Sequence, residues 1–183
     1  MAKVKGTILI DFVKTIKADK SGTYDPFLTD EDRKIIDERL LASAWYPYDT
    51  FKHCMQAAVH ILAKDNMDTV HQWGRMYGEA IVTGVYKGMI KEGRPMESLQ
   101  KYNSSVRNLF DFGELRVEPK GDNQATMKIR GFDPDFEPQF HMIAGWIERS
   151  LELCGAKDIE CRFEEKSWEG GDETSLALSW KEA

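Results

Sequence analysis

The sequence predicts an α+β protein: an N-terminal helical half is followed by an antiparallel sheet half with the element order β-β-α-β-β. Two observations support this fold class. Apolar residues recur at helical spacing through most of residues 1–112. After Phe112 the pattern changes to short β-prone segments, which form two hairpins around one amphipathic helix. The 183 residues are expected to form a single domain with a mainly helical part, 1–112, and a sheet-plus-helix part, 113–183.

Helical periodicity and helix-breaking residues predict five helices in the first part. They span residues 5–17, 31–43, 48–63, 67–90 and 95–110. The first helix carries an apolar stripe made of Ile8, Leu9, Phe12, Val13 and Ile16. Thr29 or Asp30 is the predicted N-cap of the second helix, and Pro47 is expected to end the chain segment before the third.

The second part contains two predicted hairpins. "GELRVEP" and "QATMKIRGF" flank the turn "KGDN", and "DIECRFEEKSW" and "TSLALSWKE" flank "EGGDE". The helix between the hairpins has Gly155 as its predicted C-cap. Its apolar side consists of Phe136, Phe140, Ile143, Ile147, Leu151 and Cys154. Four strands and a covering helix would bury one face of the sheet.

Composition excludes several classes of partner. The net charge is −6 and the sequence has no basic stripe, so nucleic acid is not an expected partner. No apolar run is long enough to span a membrane, and no small-residue cleavage site follows the N-terminal apolar run. The three cysteines have no CxxC spacing, which fits a reducing compartment. We therefore expect a cytoplasmic protein.

The predicted helix over 67–90 contains four glycines, each of which costs roughly 1 kcal/mol relative to alanine. On a helical wheel, Gly74, Gly78, Gly84 and Gly88 lie within about 120°. Val70, Tyr77, Ile81 and Val85 share that arc. The opposite side carries Gln72, Arg75, Glu79 and Thr83. The glycines therefore mark the buried face of the helix and remove side-chain bulk from it.

Two interpretations of this glycine face stay open. Another helix, or a second copy of the chain, approaches the backbone closely there, or the face lines a groove for a small molecule. Under the second interpretation, the candidate ligand-binding residues are Val70, Gly74, Tyr77, Gly78, Ile81, Gly84 and Val85.

The sequence nominates no catalytic residue. It has no phosphate-binding GxxxxGKS loop, no dinucleotide fingerprint after a strand and no GxSxG elbow. His53 and His60 lie two helical turns apart and supply too few ligands for a metal site. Cys54 follows His53 directly, so their side chains point about 100° apart on a helix and do not form a thiol–imidazole pair. We expect neither an enzyme nor a metal site.

Several segments resemble known families. "KGTILIDFVKTIK" resembles the start of the heme-nitric-oxide-binding (H-NOX) domains. "LFDFGELRVEP", "RGFDPDFEPQFHMIAGWIERSLELCGAKDIECRF" and "ETSLALSW" resemble a paralogous family of unknown function that is abundant in myxobacteria. That family is similar to vinyl-reductase-type ligand-binding domains and to TRAPP small subunits. The resemblance implies an H-NOX/TRAPP-like domain, often dimeric, whose apolar pocket between helices and sheet holds heme, a tetrapyrrole or an acyl chain in relatives.

The residues that hold heme in the gas-sensing relatives are not reproduced. Those relatives use an axial histidine on a helix before the sheet and a Tyr-x-Ser-x-Arg clamp on the heme propionates. No histidine lies between His71 and His141. The nearest segment to the clamp, "YNSSVR", has Tyr102 and Ser104 but Val106 at the arginine position. If heme binds at all, the candidate ligands are His71 and, next to His53, Cys54.

These observations predict a non-catalytic ligand-binding or regulatory module, with an apolar pocket between helices and sheet. Two alternatives are a gas or redox sensor domain that binds heme or a tetrapyrrole, and a dimeric scaffold without ligand. The expected partners are a small apolar molecule, a second copy of the chain and a signalling protein of unknown identity.

Overall fold

The computed structural model describes residues 1–84, 88 and 90–182. It has the predicted α+β composition. The described α-helices are α1 (Gly6–Ala18), α2 (Asp30–Asp37), α3 (Tyr48–Ala58), α4 (Met67–Thr83), α5 (Pro95–Gln100), α6 (Tyr102–Leu109) and α7 (Glu137–Leu153). The described strands are β1 (Lys3–Lys5), β2 (Trp45–Pro47), β3 (Glu114–Gly121), β4 (Gln124–Arg130), β5 (Lys157–Glu165) and β6 (Thr174–Lys181).

The chain forms two compact units. The first comprises residues 1–66 and 108–112, and the second comprises the described residues of 67–107 and 113–182. The structure thus groups residues 67–107, which the sequence analysis assigned to the helical part, with the sheet. Among the described residues, no helix is long and apolar enough to cross a membrane.

In the first unit, β1 pairs antiparallel with β2, and Val4 also bridges to Phe110. The sequence analysis missed both strands because each has only three residues, too few for an alternating pattern. The predicted stripe of α1 is confirmed, since all five of its side chains are buried. The rings of Phe12, Phe51 and Phe110 pack edge to face beside them. These contacts form the core of the first unit.

Helix α2 begins at a capping box. Thr29 is the N-cap, as predicted, and its hydroxyl accepts a hydrogen bond from the Asp32 N–H, while the Asp32 carboxylate accepts one from the Thr29 N–H. The helix ends at Asp37, so the predicted boundary at Ser43 was wrong. Helix α3 begins at Tyr48 as predicted, and a π-helical turn, Val59–Ala63, continues it to the predicted end.

In the second unit, the two predicted hairpins join into one antiparallel sheet of order β3-β4-β6-β5. The central pair is β4 with β6, for example Met127 opposite Leu176. Both of those side chains are fully buried. The predicted apolar side of α7 is buried from Phe136 to Cys154, and Gly155 has the left-handed backbone, with φ of 93°, that a C-cap glycine adopts.

Two helix boundaries differ from the prediction. The predicted helix over 95–110 is divided into α5 and α6 at Lys101. Helix α4 begins at Met67 as predicted but ends at Thr83. Val85, Tyr86, Lys87 and Met89, which belong to the rest of that predicted helix, lie outside the described residues.

Candidate functional site

The glycines of α4 bring its backbone against α7. A side-chain carbon at Gly74 would collide with the backbone carbonyl of Met142, and one at Gly78 would collide with the Trp146 ring. Gly145 on α7 makes the reciprocal approach, because a carbon there would collide with the His71 carbonyl and lie 3.0 Å from the Arg75 nitrogen. The two helices therefore touch at backbone level, which only glycine permits.

The sequence analysis did not single out Gly145. The signal was present, because this glycine lies in the middle of a long amphipathic helix, where it costs helix stability. Its partner helix is not visible in the sequence. The close approach of α7 accounts physically for Gly74 and Gly78, in line with the close-packing interpretation.

Charged side chains also join α4 to α7. Arg75 donates to Glu148 and, at 2.8 Å, to Glu152, and Arg149 of α7 donates to Glu79 at 3.1 Å. The helical wheel had placed Arg75 and Glu79 away from the glycine face. They reach α7 because the close backbone approach brings the flanks of both helices within range of long side chains.

His71 belongs to the same network. Its Nε2 lies 2.9 Å from a carboxylate oxygen of Glu148. The hydrogen bond with His71, helped by the nearby Arg75 charge, outweighs burial and holds the pKa of Glu148 below its usual range. The Glu148 carboxylate is therefore ionised at neutral pH. Its contact with His71 Nε2 joins α4 to α7.

The seven candidate ligand-binding residues have different environments. Val70 and Ile81 are buried, and Tyr77 is half-buried. Gly74 and Gly78 contact α7, as described above. The helical wheel was wrong to place Gly84 and Gly88 on the buried face, because both are exposed where α4 has ended. A side-chain carbon at Gly84 would meet backbone atoms of the preceding turn. Val85 lies outside the described residues. Ligand binding by these seven residues stays a prediction.

The tyrosine nearest the heme clamp has a structural partner. Tyr102 is buried, and its hydroxyl donates to the Ser150 hydroxyl and lies 3.2 Å from the Trp146 carbonyl oxygen. Burial raises the pKa of Tyr102 far above its usual value. Because the hydroxyl is directed at α7, Tyr102 joins α6 to α7. Val106, at the clamp's arginine position, is buried, and Arg107 is exposed.

All four histidines have carboxylate partners. His53 pairs with Asp32, His60 with Asp65, His71 with Glu148 and His141 with Glu137. Each of these ion-pair contacts uses one ring nitrogen. His71 Nε2 and the Tyr102 hydroxyl are both directed at side chains of α7. Within residues 1–84, 88 and 90–182, no three metal-ligating side chains converge on one point.

The fold is that of H-NOX proteins, which confirms the expected likeness. An Fe(II) unliganded H-NOX protein from K. algicida has a TM-score of 0.71 at 16% identity, over 98% of this chain and 97% of that one. An H-NOX protein from S. oneidensis in the Fe(II)NO ligation state has a TM-score of 0.70 at 12% identity, and the match covers 97% of this chain and 99% of that one. An oxygen-binding H-NOX domain related to soluble guanylate cyclases was solved as its oxygen complex. It has a TM-score of 0.64 at 16% identity, and the match covers 97% of this chain and 95% of that one.

The family comparison agrees with the other part of the resemblance. A family model described as "Protein of unknown function (DUF2378)" matches residues 32–181. Comparison with curated proteins finds no match.

Proposed function

The chain belongs to the DUF2378 family, described as proteins of unknown function, and from this premise we propose that it is a non-catalytic ligand-binding or regulatory module. The full-length likeness to H-NOX proteins, one of them solved with bound oxygen, carries the proposal. The burial of two cysteine thiols supports the proposal that the module is not catalytic. Cys54 and Cys154 are buried, and burial raises the pKa of Cys54 to about 12 and that of Cys154 above its usual value, so neither is a ready nucleophile.

The proposed ligand is a small apolar molecule on the C-terminal part of the glycine face. At Gly74 and Gly78 the backbone is already covered by α7. At Gly84 no other described element comes within van der Waals range of the missing side chain. We therefore assign ligand contact to Tyr77, Ile81, Gly84 and Val85, and assign Val70, Gly74 and Gly78 to the support of that contact surface.

Gly84→Leu is expected to abolish ligand binding without unfolding the protein, because the new side chain fills the groove. Its first carbon would lie 2.8 Å from the Ala80 carbonyl oxygen, so the shift that it requires is confined to the exposed end of α4. The measurement is native mass spectrometry of freshly purified protein, together with titration by the apolar dye anilinonaphthalene sulfonate. Gln72→Leu, an equal addition of apolar surface at an exposed position on the opposite side of α4, serves as the control. Loss of dye binding in Gly84→Leu alone supports the proposal. A folded wild-type protein that carries no adduct and binds no dye contradicts it.

A heme or tetrapyrrole sensor is the second candidate, favoured by the Fe(II) state of the H-NOX neighbours. We expect heme titration to give no stoichiometric Soret band, because Tyr102 is engaged with Ser150 and His71 with Glu148. Absorbance spectroscopy of wild-type protein and His71→Ala measures this. A Soret band in the wild type that disappears in His71→Ala would replace the first candidate with the second.

We further propose a homodimer that signals through a partner protein in the cytoplasm. The family resemblance to often dimeric domains supports the homodimer. The free thiols of all three cysteines support a reducing compartment. The same native mass spectra report the oligomeric state. A dimer without ligand would favour the scaffold alternative.

A further inference from the structure

The second unit contains a groove that no part of the proposed function uses. Its volume is about 610 Å³, within the range of small-molecule sites. It lies between the segment Gly131–Pro134, which leads into α7, and the connection from β5 to β6. None of its lining residues belongs to α4.

The base of the groove is apolar and the sides are held in place. Ile129, Phe132 and Phe140 line the base and are each less than 10% exposed. The Ser167 hydroxyl donates to the Pro134 carbonyl at 2.9 Å, so one hydrogen bond joins the two sides. Trp168 stacks on Phe140, with ring centroids 5.2 Å apart, and fixes the β5–β6 connection. The groove is therefore preformed.

Three acidic side chains line the groove, and among its described lining residues Arg130 alone is cationic. Arg130, at 2.5 Å, and Lys128, at 3.0 Å, both pair with Glu173. Glu165 and Asp172 also line the groove. The ion pairs among the described residues of this region involve Glu173 and Glu169 and neither Glu165 nor Asp172. These two carboxylates leave an uncompensated negative charge above the apolar base.

The carboxylate of Glu165 is oriented before any ligand arrives. Its Oε1 accepts hydrogen bonds from the backbone nitrogens of Asp172, at 2.8 Å, and Glu173, at 3.3 Å. Within the part of the chain that the structure describes, no group donates to its Oε2. A hydrogen-bond acceptor of fixed position and negative charge favours a donor that carries positive charge. The apolar base below the carboxylates suits a hydrocarbon body attached to that donor.

We propose that this groove binds a small organic cation in which one or two ammonium groups are attached to a short hydrocarbon body. The ammonium groups donate to Glu165 and Asp172, and the hydrocarbon body contacts Phe132 and Phe140. This site is separate from the glycine face, so its failure in a test would leave the proposed function unaffected, and the reverse also holds.

The test is a titration of the ¹⁵N-labelled full chain with 1,5-diaminopentane, followed through the amide signals of Gly131, Ser167 and Asp172. Pentane-1,5-diol, a neutral probe of the same length, is the matched control ligand. We expect saturable binding of the diamine alone, which weakens as the salt concentration rises. Equal binding of the diol, or no saturable shift with the diamine, overturns the proposal.

Two variants locate the binding. Glu165→Gln retains the oxygen that the loop nitrogens need, and Asp172→Asn alters only an exposed loop side chain, so both are expected to fold. Each should weaken diamine binding about tenfold, the effect expected for loss of one charge-assisted hydrogen bond. Glu160→Gln, on the same strand but outside the groove, should leave binding unchanged. Wild-type affinity in both groove variants contradicts the proposal.

Discussion

Gly145→Ala is expected to lower the free energy of unfolding by about 2 kcal/mol or more. Alanine would favour the helix by roughly 1 kcal/mol. The opposing effect is larger, because the added carbon would collide with the His71 carbonyl and lie 3.0 Å from the Arg75 nitrogen. Both are backbone atoms of α4, so no rotamer change can relieve the overlap. Helices α4 and α7 must move apart and lose contact along their length.

Urea denaturation followed by circular dichroism measures this difference. Gly121→Ala is the matched control, because no atom lies within 4 Å of the position of its added carbon. It should change stability by less than about 0.5 kcal/mol. A stabilised Gly145→Ala protein would mean that helix propensity outweighs the contact, and that the glycines are not required for α4–α7 packing.

Asp32→Ala is expected to lower the free energy of unfolding by roughly 3 kcal/mol, because it removes the buried carboxylate that accepts charge-assisted hydrogen bonds from Thr29 and His53. Asp32 is 2% exposed. Its Oδ2 accepts from the Thr29 nitrogen at 2.9 Å, from the Thr29 hydroxyl at 2.8 Å and from His53 Nδ1 at 2.7 Å. Asp37→Ala, which removes an exposed carboxylate from the same helix, should change stability by less than about 0.5 kcal/mol.

The effect of Asp32 should depend on pH. Burial alone would raise the pKa of Asp32, but hydrogen bonds from Thr29, Thr50 and His53 outweigh it, so the pKa is lowered in the folded protein. A lowered pKa stabilises the fold above the unfolded-state value of about 4. That stabilisation is lost as the pH falls toward the folded-state pKa. The stability gap between wild type and Asp32→Ala should therefore narrow in acid. A gap that stays constant from pH 7 to pH 3 would contradict this account.

Much of the fold was predictable because the spacing of apolar residues within a segment shows which side of the helix or strand is buried. The apolar stripes of α1 and α7 were predicted residue by residue, since a helix repeats every 3.6 residues whatever it packs against. Both hairpins were predicted from alternation and turn residues. The errors were at boundaries, such as the end of α2, and in the three-residue strands β1 and β2. Short elements are stabilised by pairing with distant segments, for which no local pattern exists.

The site was less predictable. The wheel identified Gly74 and Gly78 as positions without side-chain bulk, but not the helix that comes close to them. Gly145, Tyr102 and Ser150 acquire their roles only through contacts between segments more than 40 residues apart along the chain. The groove likewise combines residues distant along the chain, such as Arg130 of β4 and Glu173 next to β6.

The sequence by itself determined the α+β class, the hairpin positions, the apolar sides of α1 and α7 and the absence of side-chain bulk at Gly74 and Gly78 of α4. These are consequences of residue type and spacing within a single segment. Only the tertiary structure decided that α7 fills the space at Gly74 and Gly78, that Tyr102 is directed at Ser150, and that β4 pairs with β6. The physical reason is that a local pattern states how much surface a segment must bury, whereas the partner that buries it is selected by packing and hydrogen bonding among all segments at once.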